Sequence, residues 1–596
     1  MRIGEHREAL QGRVKLLFRL LAAALGGLAG AYFLAQVVHG ARYLELAENN
    51  RLRRVTLEAP RGAISDRHGR VLVENLPSYS LLLDRGRAAE LGASLEFAAR
   101  ALGLPAAELR GLVARAPAGT RFAGVLLAEN LSLPEVARFR VARLEHPEFE
   151  IEVTQRRFYR LGAHAAHVLG YLGEVTPEEL ARPQQALRAG DWIGRRGVER
   201  AYDRHLRGEN GERVVVVDSR GLPIEEFGRR LGRPGESLQL TLDAELQQEG
   251  ERLLEGQVGA IVALDPRDGA VRALVSAPAY DPNLFARRLA AADWRALVED
   301  ERHPLQNRAL QSAYSPGSVF KAVVAAAALA EGVVTTATTV RCGGYAGHYG
   351  RRFHCWRRGG HGAMALEEAL KHSCDVYFYE LGERLGIERL ARWSRAFGFG
   401  APTGIDLGGE RGGLVPDDAW SRAVRRHPWY PGETISVAIG QGALLTTPLQ
   451  VATMLAAIAN GGRVVTPHLV AGGDAPSRPL GLPPSILAPV QRGLWRVVNE
   501  SGGTGARARL PQVEIAGKTG TVQVISQEAY SDSSQLPWKL RNHAWFAAYA
   551  PASAPELVVV VFVEHGGKGS AAAAPIARAL YDHFFRPLPE TVAAAS

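Results

Sequence analysis

At 596 residues, 46% apolar and 22% charged, the chain has the composition of ordinary globular material and room for three to four domains. Its net charge of +9 is spread along the chain, with no dense Lys/Arg block interleaved with aromatics, which argues against a nucleic-acid partner. Nearly all of the positive charge is arginine, which cannot give up its proton, so the six lysines (Lys15, Lys321, Lys371, Lys518, Lys539 and Lys568) mark the positions where proton transfer is conceivable.

Residues 1–19 are basic (Arg2, Arg7, Arg13, Lys15, Arg19), and residues 20–38 are apolar apart from Tyr32 and Gln36. A run of this length matches the roughly 20 residues of a spanning helix. A cleaved signal peptide is the alternative, but the apolar run is long for one and no A-x-A site follows it. The expectation is a single-pass anchor in the cytoplasmic (inner) membrane. Its positive flank, residues 1–19, would be cytoplasmic and everything after residue 40 extracytoplasmic, in a periplasm where there is one.

Residues 41–231 read as a non-catalytic α+β pedestal. A juxtamembrane helix leads to a strand over 41–58, and residues 60–72 read as strand, turn at His68-Gly69, strand. Residues 85–145 are mostly helical, 149–175 return to strands and turns, 194–203 open a helix, and 213–218 form a strand. A boundary falls at 232–235, and residues 236–585 form a second domain. Here a strand over 238–243 precedes a helix over 244–254 and an apolar hairpin over 259–276 about a Pro-Arg-Asp-Gly turn. Helices follow at 365–397, 447–461 and 485–500, strands at 513–516, 521–525, 543–550 and 557–564, and a last helix at 570–584. Helices inserted between strands of one antiparallel sheet make an α+β domain. The Pro- and Ala-rich end, 586–596, reads as a disordered tail.

The chemistry gathers in this second domain. Tyr314-Ser315-Pro316-Gly317-Ser318-Val319-Phe320-Lys321 runs into an Ala-rich helix former. Ser318 would open the helix, where unpaired N–H groups and a positive dipole favour an oxyanion, with Lys321 three residues on along the same face. A buried lysine can take the hydroxyl proton. Alone, Ser318 reads more readily as a helix cap with a solvated lysine beside it than as a nucleophile. Ser373-Cys374-Asp375 and the strand-like Lys518-Thr519-Gly520-Thr521 follow in order, 55 and then 145 residues further on. An edge strand with a lysine and two threonine hydroxyls would take an extended peptide and grip its carboxylate. The set S-x-x-K, S-x-D, K-T-G spends two of the six lysines and is the serine acyl-transfer arrangement of penicillin-binding proteins and serine β-lactamases.

All three cysteines, Cys342, Cys355 and Cys374, fall within residues 342–374, with His361 among them as C-x12-C-x5-H-x12-C. Three thiolates and one imidazole would close a structural zinc site. A Cys342–Cys355 disulfide with Cys374 free is the alternative, and His348 and His354 compete as ligands.

With these motifs the chain resembles a class B penicillin-binding protein. Arg61-Gly62 through Asp66-Arg67, and Gly197-Val198-Glu199 through Tyr202-Asp203, resemble the family's pedestal. Leu240-Thr241-Leu242-Asp243, Gly440-Gln441-Gly442, Thr447-Pro448-Leu449-Gln450 and His543-Ala544-Trp545-Phe546 resemble hallmarks of its transpeptidase domain. The resemblance implies a penicillin-binding/serine β-lactamase-like domain on an elongated pedestal. It implies D,D-transpeptidation of peptidoglycan stem peptides, with Ser318 as nucleophile, Lys321 as base, Ser373 as proton relay, and Lys518, Thr519, Gly520 and Thr521 binding substrate. The oxyanion hole would be the N–H groups of Ser318 and Thr521. Asp375 departs from the commoner S-x-N, which leaves its role open; S-x-D is usual in the elongation-type penicillin-binding protein 2 subfamily, where a related metal site also occurs. The implied partners are β-lactam inhibitors and a SEDS-family glycosyltransferase. The alternatives are a division-type relative, a membrane-anchored β-lactamase and a penicillin sensor.

Overall fold

The computed structural model describes residues 2–43, 52–116, 124–181, 187–188, 190–217, 223–286, 289–473, 475–525 and 535–586. It divides into two compact units. One comprises Met1–Pro60, Pro77–Gln155 and Gly208–Gly235; the other comprises Arg61–Leu76, Arg156–Arg207 and Glu236–Ser596.

In the first unit, a helix over Arg2–Phe33 continues through a π-helical turn, Leu34–Val38. The apolar window Leu10–Val38 is fully exposed and long enough to cross a membrane. The expected span at 20–38 is thus the C-terminal part of a longer helix, because no proline interrupts the basic segment before it. Residues 44–51 of the expected juxtamembrane helix lie outside the described residues, and Leu52–Leu57 is a strand paired antiparallel with Gly211–Val217. Helices Leu91–Leu102, Ala106–Arg115 and Leu133–Val141 bury Leu95, Leu109, Val136 and Phe139 in one apolar cluster. A strand, Val125–Ala128, lies inside the stretch expected to be helical; its alternating Val125 and Leu127 point into that cluster.

In the second unit, residues 61–76 and 156–207 pack with the larger domain. Both motifs that resemble a pedestal meet there. Glu199, fully buried, accepts from Arg61 Nε at 2.6 Å and Arg157 Nε at 2.7 Å, and Arg61 also pairs with Asp203 at 2.9 Å. Tyr202 donates to Asp406 at 2.8 Å.

The larger domain is built on a five-stranded antiparallel sheet. The elements that frame the site are α1 (Ala244–Leu253), β1 (Gly259–Leu264), β2 (Val271–Ala277), α2 (Lys321–Ala330), α3 (Leu366–Lys371), α4 (Asp375–Ala396), α5 (Pro448–Ala459), α6 (Pro484–Asn499), β3 (Ala516–Val522), β4 (His543–Ala550), β5 (Leu557–Val563) and α7 (Gly569–Phe584). The strand order is β2-β1-β5-β4-β3, so β3 is an edge. Apart from β3, the strands are apolar at nearly every position because both faces are covered, and the two-residue period divides them between two cores. Ile261, Ala263, Phe546, Val559 and Val561 pack with Leu246 of α1 and Leu580 of α7. Ala260, Val262, Ala547, Val558 and Val560 face α2 and α5.

Three boundaries differ from the sequence reading. The strand expected over 238–243 is only Leu238–Gln239, because Asp243 turns to cap α1, accepting from Glu245 and Leu246. The strands expected at 513–516 and 521–525 are one strand, β3, in unbroken register with β4 from Ala516↔Tyr549 to Val522↔His543. The helix expected over 365–397 breaks between α3 and α4. Of the expected tail, residues 587–596 lie outside the described residues.

Candidate active site

Ser318 does not open the α-helix. It sits in a 3-10 turn, Gly317–Phe320, that feeds α2 at Lys321. With three residues per turn, side chains at i and i+3 eclipse, so Ser318 and Lys321 align more closely than in an α-helix. Gly317 starts the turn at φ +55°, and its N–H donates to Gly440 O at 2.9 Å. A Cβ on Gly317 would stand 3.0 Å from Val522 and 3.1 Å from Thr521 O, and one on Gly520 would stand 3.1 Å from Val319. The missing side chains let edge strand β3, with its K-T-G sequence, lie directly against the serine turn. The hallmark residue Trp545 secures this junction, its Nε1 donating to Ser315 O at 3.1 Å, and Tyr314 exchanges backbone hydrogen bonds with Thr446.

Lys321 is fully buried. Its Nζ donates to Asp375 Oδ1 at 2.6 Å, Ser373 O at 3.0 Å and Ser373 Oγ at 3.3 Å. Ser373 occupies the break between α3 and α4 at φ +52°, a left-handed conformation that costs a non-glycine residue about 1–3 kcal/mol. The break turns both its carbonyl and its hydroxyl to Lys321. Asp375 opens α4, where a carboxylate suits the helix dipole.

Lys518 is also fully buried, its Nζ donating to Thr519 O at 3.2 Å. Burial first, and the charge of Lys321 second, hold its pKa well below 10.5, with Asp375 opposing. Thr519 Oγ1 donates to Thr504 Oγ1 at 2.9 Å, and Thr521 Oγ1 accepts from Gly569 N, at the start of α7, at 3.3 Å. The structure thus brings Lys321, Ser373 and Asp375 into direct contact, and sets Gly520 and Thr521 against the turn that carries Ser318.

The sequence reading passed over Trp356. Its backbone N–H donates to Asp375 Oδ2 at 2.9 Å, and its indole Nε1 donates to His372 O and Ser373 O, both at 3.1 Å. Asp375 therefore faces donors on both oxygens. A carboxamide offers one acceptor and would turn an N–H₂ toward a donor, which accounts for aspartate rather than asparagine here. The one signal available in the sequence was that Trp356 adjoins Cys355.

The ligand atoms of Cys342, Cys355, His361 and Cys374 all lie within 4.8 Å of one another, and all three thiols are free, so the alternative disulfide is not formed. The sulfurs of Cys355 and Cys342 stand 3.5 and 3.6 Å from His361 Nδ1. A tetrahedral centre with Zn–S of about 2.3 Å and Zn–N of about 2.1 Å sets those edges at about 3.6 Å. Hydrogen bonds from Cys374 and His361 pull the Cys355 thiol far below its ordinary range against the cost of burial. The donor set fits a closed zinc site. His348, an alternative ligand, instead meets Glu383 at 3.0 Å, and His354 accepts from Tyr379 through its carbonyl.

A family model described as "Penicillin binding protein transpeptidase domain" matches residues 259–582, and one described as "Penicillin-binding Protein dimerisation domain" matches 56–240. The chain is 37% identical over 571 residues to the peptidoglycan D,D-transpeptidase MrdA of Haemophilus influenzae, covering 92% of this chain and 88% of that one. A penicillin-binding protein 2 of Helicobacter pylori, solved in complex with MreC, superposes with a TM-score of 0.81 at 28% identity, covering 90% of this chain and 99% of the other. A chain from a peptidoglycan synthase complex described as coordinating polymerization and crosslinking superposes with a TM-score of 0.73 at 33% identity, covering 97% and 99%. The fold and the motifs are those of a penicillin-recognising serine acyltransferase. The chain belongs to the class B penicillin-binding proteins, in the elongation-type penicillin-binding protein 2 group.

Proposed function

We propose that the protein is a membrane-anchored D,D-transpeptidase that cross-links peptidoglycan stem peptides during cell-wall elongation and is a target of β-lactams. The observation that carries the reading is Lys321. It is a buried amine three residues from Ser318 that contacts Ser373 Oγ and Asp375 together, beside a free edge strand bearing Lys518.

The stem peptide adds to β3 as an extended strand, and its terminal carboxylate meets Lys518, Thr519 and Thr521. Ser318 Oγ attacks the penultimate D-alanine carbonyl and yields its proton to Lys321 acting as the neutral amine, while the N–H groups of Ser318 and Thr521 hold the oxyanion. The proton passes through Ser373 Oγ to the leaving nitrogen, the amide bond breaks, and D-alanine departs. An amine of a second stem peptide then attacks the ester, forming the cross-link and restoring Ser318. Cys342, Cys355, His361 and Cys374 would hold zinc, which would tie the loop carrying Ser373 and supply no catalytic chemistry.

The basic residues before the apolar helix favour a cytoplasmic N-terminus with the catalytic unit outside. Glycan polymerisation comes from a SEDS-family partner; the likeness to a chain of a polymerising and crosslinking complex supports that pairing. Labelling with a fluorescent penicillin tests the function. Wild type forms a stable adduct that Ser318→Ala loses; fast turnover points to a β-lactamase, and no adduct refutes the reading.

A further inference from the structure

Trp356 is 58% exposed, yet both of its N–H groups point inward and are engaged. An exposed indole has water for its N–H and gains little by ordering it against protein, so this arrangement calls for an explanation. The groups that Trp356 holds supply one. Its indole N–H and Lys321 Nζ donate to the same carbonyl, Ser373 O, at 3.1 and 3.0 Å. Its backbone N–H and Lys321 Nζ donate to the two oxygens of one carboxylate, Asp375, at 2.9 and 2.6 Å. Trp356 and Lys321 therefore hold the same two groups, the Ser373 carbonyl and the Asp375 carboxylate.

We propose that Trp356 is a positioning residue for acyl transfer, an external clamp that holds Ser373 and Asp375 in register with Lys321. This rests on the transpeptidase reading above. The clamp is needed because Ser373 is held in a left-handed backbone conformation that serine avoids when free. Without the indole N–H, Lys321 alone among the described residues holds that carbonyl from a side chain, and Lys321 must move as it exchanges a proton with Ser318. The clamp is itself anchored. Trp356 follows the strand Arg351–His354 of a hairpin that α4 fixes at two points: Tyr379 donates to His354 O at 2.9 Å, and Glu383 meets His348 at 3.0 Å. Its ring also lies 5.3 Å from that of His361. The same hairpin delivers Cys355 to the cysteine cluster, so the clamp joins that cluster to the reacting groups.

The test uses full-length protein in detergent and the acylation of Ser318 by a fluorescent penicillin, resolved into binding (Ks) and chemistry (k2). Trp356→Phe keeps the backbone N–H and an aromatic ring and removes the indole N–H together with the five-membered ring that carries it. Incorporating benzothienylalanine at 356 keeps the bicyclic shape as well, so a folding defect in one variant does not decide the matter. Both variants are expected to lower k2 by about fivefold to tenfold, the value of one lost hydrogen bond, with Ks, zinc content and unfolding temperature unchanged. A k2 within about twofold of wild type in both overturns the clamp. A loss of k2 accompanied in both by loss of zinc or of thermal stability also overturns it, because the role is then structural. A wild type that forms no adduct overturns instead the transpeptidase reading, and the clamp with it.

Discussion

Replacing Asp375 with asparagine changes one atom and leaves the volume as it was, so its effect measures charge and hydrogen bonding. Lys321 is fully buried and its Nζ lies 2.6 Å from Asp375 Oδ1. Removing one partner from a buried ion pair costs about 3–5 kcal/mol, because the remaining charge has neither water nor a counter-ion. Asparagine can offer its oxygen to Lys321 only by turning its N–H₂ toward the Trp356 N–H, or the reverse. Either choice leaves a buried donor unmet, and this loss overlaps the first rather than adding to it. With a urea dependence of about 3 kcal/mol per molar, the unfolding midpoint of the catalytic unit should fall by at least about 1 M. Acylation should fall further, since moving a catalytic group by about 1 Å costs about a hundredfold in rate. Urea titration followed by tryptophan fluorescence, alongside stopped-flow penicillin labelling, reads both. A variant with a wild-type midpoint and a wild-type k2 would show that Asp375 neither balances Lys321 nor aims it, and the account of S-x-D given above would fall.

Three further outcomes are expected. Chelation, or Cys355→Ser, should lower the unfolding temperature and penicillin acylation together; unchanged labelling by metal-free protein would detach the cluster from the site. Gly520→Ala should slow acylation by about a hundredfold with only a modest loss of stability, because its Cβ would meet Trp545 at 2.9 Å and Val319 at 3.1 Å and lift β3 off the serine turn. For Lys518 the sign follows from burial. Its folded pKa lies well below 10.5, so between that lowered value and 10.5 the unfolded chain binds the extra proton and stability rises with pH. Compared with Lys518→Met, wild type should gain up to about 1.4 kcal/mol per pH unit across that window, as read from urea midpoints; a difference that does not change with pH would mean that Lys518 keeps its proton when folded.

The chemistry was legible where it used residue types that the chain otherwise avoids. Lys321 and Lys518 stood out against an arginine-rich background, and three cysteines confined to residues 342–374 marked a cluster before any coordinate did. Backbone conformation was harder to read. Ser318 followed by an Ala-rich run looks like a helix start, but Gly317 at φ +55° interposes a 3-10 turn, and that geometry depends on Gly440, more than a hundred residues away. The pairing of Arg61 with Glu199 was hidden for the same reason: each residue is ordinary in its own neighbourhood, and only the fold supplies the partner.

Ser373-Cys374-Asp375 shows how far a motif can carry an argument. As three letters it supplies a hydroxyl, a thiol and a carboxylate. In the fold each residue answers to a different demand: Ser373 to the left-handed break that faces Lys321, Cys374 to the cluster with Cys342, Cys355 and His361, and Asp375 to the two donors Lys321 and Trp356. These demands share one backbone, so none can be adjusted alone. Moving the cysteine cluster shifts Cys374, which carries Ser373 and Asp375 with it and changes what Lys321 can reach. A device that only stabilised the fold could have been placed anywhere in the domain. One threaded through the middle residue of a catalytic motif ties the geometry of proton transfer to the integrity of the cluster. Perturbing the cluster should therefore lower acylation and thermal stability together, a coupling that labelling and melting measured on the same samples will reveal.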